Sequence, residues 1–334
     1  MSSDMKTHHQ DKLQVESFKG KNILITGGAG YLAFNLLSLL SQTECRIIRM
    51  GRGDAGWEKV VGAAEVSDLC CDIRDPSVWE VLEGMDFIFH FAAQTSTYVA
   101  NANPVDDQAI NVMPMLNLLE ACRRLGTCPT ICFSSTVTIA GIPDRLPVDE
   151  THPDHPLTVY DLHKSMAEQY LRWYAEQGFV NGVTLRLANV YGPGPRSSRS
   201  DRGILNQMVR RALEGKELTV YGTGEYVRDY IYVEDVARAF MSAAMHSKKL
   251  NGRYFVIGSG KGHSIAESMR MIADHAAART GSLVEVRHVA APDALSPIEQ
   301  RHFVADSRLF SLATGWNASY SLSEGIDQTM EAFK

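Results

Sequence analysis

Hydrophobic positions along the chain come in two textures. Short, nearly unbroken apolar runs occupy Lys21–Thr26, Cys45–Met50, Val66–Cys71, Asp86–Ala92, Thr130–Ser134 and Gly182–Leu187. Runs of this length and solidity predict strands buried on both faces. Between them apolar residues recur at helical spacing. Leu32, Leu36, Leu37 and Leu40 do so within Tyr31–Ser41, and two longer stretches run from about Gln108 to Leu125 and from about Val159 to Gln177. Strands alternating with helices predict parallel βαβ units and an α/β, doubly wound parallel sheet. After Tyr191 the texture changes. Gly192-Pro193-Gly194-Pro195 interrupts the alternation and 197–203 is polar. Helices are expected near Ile204–Leu213, Val233–Met245 and Ile265–Ala278, and a strand near Tyr254–Ile257. This predicts a polar tail over 1–20, a larger α/β unit over 21–190 and a smaller lobe over 191–334, with elements free to exchange between the two.

Composition adds exclusions. Of 334 residues, 45% are hydrophobic and 22% charged, which is ordinary for a globular chain and unlike a disordered one. Lys plus Arg total 33 against 39 Asp plus Glu, a net charge of −6 that argues against a nucleic-acid partner. No run approaches the ~20 apolar residues that span a bilayer, so no membrane partner is expected. Residues 1–20 lack the apolar core of a signal peptide, and the six cysteines form no C-x-x-C pair. The expectation is a cytoplasmic protein with reduced thiols. No metal site is predicted, and His8-His9 reads as part of the tail.

The first chemical signal follows the first strand. Gly28-x-Gly30-x-x-Ala33, with Gly27 beside it, closes a strand and opens a helix. That context lets backbone N–H groups and a helix N-terminus meet a pyrophosphate, so 21–190 reads as a Rossmann-type dinucleotide-binding domain. The second strand usually ends in an acid that holds the ribose 2′-hydroxyl. Here it ends Arg49-Met50-Gly51-Arg52. Arg52 is therefore a candidate for a 2′-phosphate, which keeps both NAD and NADP open and makes NADP the riskier expectation.

The second signal is Tyr160-x-x-x-Lys164, a phenol and an ammonium one helical turn apart. A tyrosine needs a shift of roughly 3 units, about 4 kcal/mol, to act as a base near neutrality. One cation at ~4 Å supplies about that much at an effective dielectric of ~20. Thr136, at the end of the fifth strand, is positioned to donate a hydrogen bond to a reacting oxygen.

With these residues in view, the chain resembles the extended short-chain dehydrogenase/reductases of the NAD-dependent epimerase/dehydratase family, nucleotide-sugar branch. The resemblance covers roughly Lys21 to Phe333. It is carried by Ile25-Thr26-Gly27-Gly28-Ala29-Gly30-Tyr31, Cys71-Asp72-Ile73-Arg74-Asp75, His90-Phe91-Ala92-Ala93-Gln94 and Asn111. Further carriers are Ser134-Ser135-Thr136, Tyr160 with Lys164, and Leu185 to Pro193. Tyr221-Gly222-Thr223-Gly224 and Val227 to Asp235 complete the set.

The resemblance implies that Thr136, Tyr160 and Lys164 are catalytic. It implies a cofactor site of Gly27, Gly30, Tyr31, Leu32, Asp72, Ile73, Phe91, Ala92, Ala93, Asn111, Tyr160 and Lys164, joined by Arg52. It implies a nucleotide-diphosphate sugar as substrate, met by Thr136, Asn189, Tyr221, Arg228 and Arg301. A homodimer through the helices near Val105–Leu125 and Val159–Gln177 is implied as well.

Val137-Thr138 stands where sugar 4,6-dehydratases of the family carry Asp-Glu, and no glutamate of the decarboxylase type follows. Both activities are disfavoured. Ala140 replaces a frequent tyrosine before Gly141, which alters the expected sugar pocket. The remaining chemistry is hydride exchange at a sugar carbinol, at C4. The first expectation is an epimerase; the alternative is an NAD(P)H-dependent 4-keto-sugar reductase or dehydrogenase.

Overall fold

The computed structural model describes residues 14–53, 57–195, 203–292 and 296–333. His8-His9 lies outside them. Seven parallel strands form the central sheet: β1 (Asn22–Thr26), β2 (Arg46–Gly51), β3 (Glu65–Cys70), β4 (Phe87–His90), β5 (Thr130–Thr136), β6 (Asn181–Leu187) and β10 (Arg253–Ile257). Their order across the sheet is β10-β6-β5-β4-β1-β2-β3. Between β1 and β4 the direction of winding reverses, which opens a crevice at the carboxyl ends of these strands. This is the doubly wound α/β fold that the alternation predicts.

The layers show why the apolar runs were solid. Ile23 and Ile25 pack on one side of the sheet with Leu36, Leu37 and Leu40 of the helix Tyr31–Leu40 and with Phe240. Leu24, Ile88 and Ile131 pack on the other with Leu118, Leu119 and Leu171. The central strands β1, β4 and β5 are thus covered twice, which needs apolar side chains at successive positions, whereas the edge strand β3 is largely exposed.

Three features differ from the expected outline. The helix expected over Gln108–Leu125 begins earlier, as Thr97–Ala102, Pro104–Asn111 and Met113–Leu125. Pro104 and Pro114 sit at the starts of the second and third, where a missing N–H costs nothing. The N-terminal segment is not all polar tail. Val15 and Phe18 enter the core, and the Phe18 ring lies 5.1 Å from Phe87. Last, β10 and the helix Val233–Met245, though they follow Tyr191, belong to the main sheet and its covering layer.

The rest of the C-terminal portion builds two small sheets above the crevice. β7 (Asn189–Tyr191) pairs with β9 (Val227–Tyr232), which also pairs with β11 (Gly262–Ser264). β8 (Leu218–Tyr221) pairs with β12 (Val286–Val289). A separate core unites Leu205, Val209, Leu218, Ile272 and Ile326.

Candidate active site

The glycine turn is shaped by close backbone approach. Gly27 has φ +67°, and a Cβ there would lie 2.8 Å from the Ala92 amide nitrogen. At Gly28 a Cβ would meet Arg49 and Trp57 at 2.7 and 2.8 Å. Gly28 is thus required by the packing of β2. Gly30 caps the helix Tyr31–Leu40 without a side-chain bond, leaving that helix start to an outside acceptor. A cradle closed to side chains beside a helix N-terminus fits a dinucleotide pyrophosphate.

One residue ties this turn to the next strand. Thr26 Oγ1 accepts the N–H groups of Phe91 and Ala92, each at 3.1 Å, and lies 3.0 Å from His90 Nδ1. With both acceptor positions taken, the Thr26 hydroxyl donates to Nδ1, so His90 carries its proton on Nε2. Burial and the nearby Lys164 push the His90 pKa down to about 3. Phe91, Ala92 and Ala93, expected along the cofactor, are thereby held against Gly27.

At the adenosine end Arg49, beside the Arg52 candidate, is buried, only 5% exposed. Its Nε and Nη2 donate to Asp68 at 2.6 and 2.9 Å, Nη1 donates to the Glu58 carbonyl, and its guanidinium lies 5.0 Å from the Trp57 ring. It is fully engaged. Arg52 is exposed, and its charge is felt at Asp72. Asp72 bonds Arg74, which holds its carboxyl down at about 2. Ile73 is buried beside it.

The helix Val159–Glu176 carries the second cluster. Tyr160, Asp161, His163, Lys164 and Glu168 are all buried. The Lys164 ammonium stands 4.2 Å from the Phe133 ring centre. Burial lowers its pKa to about 8, against the opposing pull of Glu168 and Asp107. Behind it, Asp107 accepts from His163 Nδ1 at 2.7 Å, from Gln94 at 2.8 Å and from Asn111 at 3.0 Å. Asn111 also exchanges bonds with the Gln94 backbone, so its side chain is held within this network. Thr136 ends β5 and is linked through Thr138 to Asp161, the neighbour of Tyr160.

The third cluster lies at the small sheets. Arg228 and Arg301 are 3% and 6% exposed. The Arg228 fork bonds the backbone carbonyls of Val227, Glu299 and Arg301. Arg301 donates to the Ile298 carbonyl and, at 3.4 Å, to Asn189 Oδ1. Its Nε is buried with no hydrogen-bond partner among the described residues. Burial and the neighbouring Arg228 press the Arg301 pKa down to about 10. Two adjacent buried guanidiniums, one incompletely bonded, make a seat for an anion. Tyr221, at the end of β8, is half exposed.

Sequence reasoning missed several of these groups. Thr158-x-x-Asp161 carries the signature of a capping box, and the structure forms one. The Asp107–His163 and Arg49–Asp68 pairs join residues 56 and 19 positions apart and leave no local signal.

A parallel sheet with a glycine turn at its switch point and a buried Tyr-x-x-x-Lys helix defines a Rossmann-type, dinucleotide-dependent enzyme. More particularly, the chain belongs to the NAD-dependent epimerase/dehydratase family, which matches residues 23–258. It is 28% identical over 317 residues to a putative UDP-glucose 4-epimerase of Methanocaldococcus jannaschii, covering 93% of this chain and 98% of that one. The solved UDP-glucose 4-epimerase of Thermotoga maritima with UDP-glucose superposes with a TM-score of 0.82 at 28% identity, over 93% of this chain and 98% of that one. That of Thermus thermophilus with NAD gives 0.78 at 28% identity and the same coverage.

The His90 environment has a measurable consequence. Its folded pKa of about 3 lies below the ordinary 6.5. Protons therefore favour the unfolded chain below pH 6.5, and stability contributed by neutral His90 falls as pH drops from about 6.5 toward 3. In urea unfolding, the parent should lose about 2 kcal/mol more than His90→Asn between pH 7 and pH 5. Parallel pH dependence of the two proteins would refute the assignment.

Proposed function

We propose that this enzyme is a nucleotide-diphosphate-sugar epimerase acting at C4 of the sugar, with a UDP-sugar as the first substrate to test. The observation that carries the reading is the buried Arg228–Arg301 pair, whose Arg301 Nε has no partner among the described residues, tied through Asn189 to the start of β7. The Asp161 charge, beside Tyr160, is felt at Arg301, which puts the anion seat within electrostatic reach of the base. The names of the M. jannaschii and T. maritima relatives support the nucleotide and the carbon.

Gly27, Gly30, Tyr31 and Leu32 would hold the pyrophosphate. Asp72 and Ile73 would lie at the adenine, Phe91, Ala92, Ala93 and Asn111 along the dinucleotide, and Lys164 at the nicotinamide ribose. When bound, the nicotinamide supplies reversible hydride exchange with the sugar carbon. Tyr160 takes the C4 hydroxyl proton as the carbinol becomes a ketone. It returns that proton after the sugar has turned its other face. The Lys164 ammonium favours the phenolate, and Thr136 holds a sugar oxygen in place. Arg301, braced by Arg228, and Asn189 keep the diphosphate fixed while the sugar turns; Tyr221 flanks the nucleotide.

A homodimer fits the apolar residues left in solvent on the two helices: Val105 (78% exposed) and Met113 on one side, Leu162 and Trp173 on the other. The reductase alternative is favoured by the missing acid at Gly51, since a reductase must exchange its cofactor.

The deciding experiment offers nucleotide sugars to the purified enzyme with and without added cofactor, read by mass spectrometry and NMR. Isomerisation of UDP-glucose without change of mass is expected; net reduction that requires added NAD(P)H would overturn the epimerase. Tyr160→Phe should lower turnover about 10²- to 10⁴-fold with the cofactor affinity kept. Arg301→Ala should weaken UDP binding by about 10- to 100-fold, the effect of losing a buried charge-assisted contact.

For cofactor choice, we propose that NADP binds at least as well as NAD. With Arg49 consumed by Asp68, Arg52 is the guanidinium at this turn that reaches solvent, and Gly51 offers no carboxylate to repel a phosphate. Arg52→Ala should raise the NADP dissociation constant at least fivefold and leave that for NAD within twofold. A strong NAD preference unchanged in Arg52→Ala would reject this.

A further inference from the structure

Thr136 is held by a chain of hydrogen bonds whose direction can be read from its far end. Asp161 is fully buried, and its carboxylate can only accept. Oδ2 accepts the Thr158 hydroxyl at 2.8 Å and the Thr158 N–H at 3.2 Å. Oδ1 accepts the hydroxyl of Thr138. A threonine hydroxyl has one proton, so Thr138, having given its own to Asp161, has none left for Thr136. The 2.7 Å contact between the two threonine oxygens therefore requires Thr136 to be the donor. Thr136 also accepts the Thr138 N–H at 3.2 Å. One lone pair is all that Thr136 retains for the crevice.

We propose that Asp161, acting through Thr138, turns the Thr136 hydroxyl inward, so that Thr136 meets the substrate as a hydrogen-bond acceptor. This reverses the donor role expected of it. It rests on the nucleotide-sugar reading for the identity of the ligand, but not for the direction of the protons. An acceptor at this place recognises a sugar hydroxyl. It cannot donate to a ketone oxygen, which leaves Tyr160 as the residue of this pair that does. Asp161 and Thr138 are positioning residues. Neither needs to touch the sugar. The arrangement is specific to this chain's residues: an apolar side chain at 138 would release the Thr136 proton. An amide at 161 would reverse the chain, because its N–H would donate to Thr138.

Neutron diffraction from deuterium-exchanged crystals reads the proposal directly. In the parent, the Thr138 deuteron should lie toward Asp161 and the Thr136 deuteron toward Thr138. In Asp161→Asn both should turn, with the Thr136 deuteron in the crevice. A Thr136 deuteron that faces the crevice in the parent overturns the proposal, whatever the substrate.

Calorimetry supplies the functional arm, with UDP-glucose and UDP-4-deoxy-4-fluoroglucose as probes. The fluorine keeps the size of the hydroxyl but cannot donate. The parent and Thr138→Ser should prefer UDP-glucose about three- to tenfold. Thr138→Val, and Asp161→Asn where it folds, should bring the two within twofold. Equal binding by the parent, or a preference that survives Thr138→Val, overturns the acceptor role. If the parent binds neither probe, the UDP-sugar reading falls, and the deuteron positions still decide the hydroxyl direction.

Discussion

Arg186 is the fixed point to which the helix carrying Tyr160 is tied. It projects from β6 and is 5% exposed. Its Nε and Nη2 bond Glu168 at 3.0 and 2.7 Å, and its Nη1 and Nη2 bond Asp154 at 2.5 and 2.8 Å. Glu168 lies near the middle of the helix Val159–Glu176, and Asp154 in the segment leading into it. Removing the Arg186 and Glu168 charges from water is expensive, and only near-complete bonding, with the exposed Asp154 as second partner, offsets that cost. The reward is placement. With Glu168 clamped to β6, the first turns of the helix are set over the carboxyl ends of β4 and β5. Lys164 is then pressed against Phe133, where burial lowers its pKa and the charges of Glu168 and Asp107 partly restore it. Its neighbour His90 is kept neutral by the same burial and by Lys164 itself. Ion cluster, lysine and histidine are one electrostatic unit, and Tyr160 sits at its edge.

Legibility in the sequence followed the range of the interaction. β1, β4, β5 and β6 were readable because strands covered on both faces spell themselves as solid apolar runs; the exposed edge strand β3 carries only a broken one. The glycine turn and Tyr160-x-x-x-Lys164 were readable because their geometry depends on spacing of a few residues. β7, β9 and β11 were not read as strands. Two of them have three residues each, and all three are held by contacts with distant segments. Phe18 lay in a segment polar enough to look like tail, and only tertiary packing against Phe87 and Phe89 distinguishes it. Asp161 is the instructive case. Its spacing from Thr158 marks a helix cap, and the cap forms, but the other carboxylate oxygen is used across the fold by Thr138, 23 residues away. The local signal, passed over in the sequence, covers half of that side chain; the other half has no local signal at all.

The arginines make the same point about function. Arg49 and Arg301 are similarly buried, the first lying three residues before the Arg52 expected at a 2′-phosphate, the second itself expected at a diphosphate. What separates them is the state of their donors. Arg49 spends Nε, Nη1 and Nη2 on Asp68 and the Glu58 carbonyl, with Trp57 beside its guanidinium. Its charge is answered by a carboxylate, so adding a phosphate would gain little. Arg301 has no carboxylate bonded to it among the described residues, and the charges of Glu299 and Asp161 reach it only at a distance. Its Nη1 meets a carbonyl, its Nη2 a long bond to Asn189, its Nε nothing among the described residues, and a second guanidinium stands beside it. Arg228 in turn spends its fork on the backbone carbonyls around Arg301, including that of Arg301 itself. One arginine therefore holds the loop while the other stays buried beside it and incompletely bonded. A buried cation that is fully bonded explains a fold. One that is left short of partners beside a second buried guanidinium is the arrangement on which the proposed diphosphate seat rests.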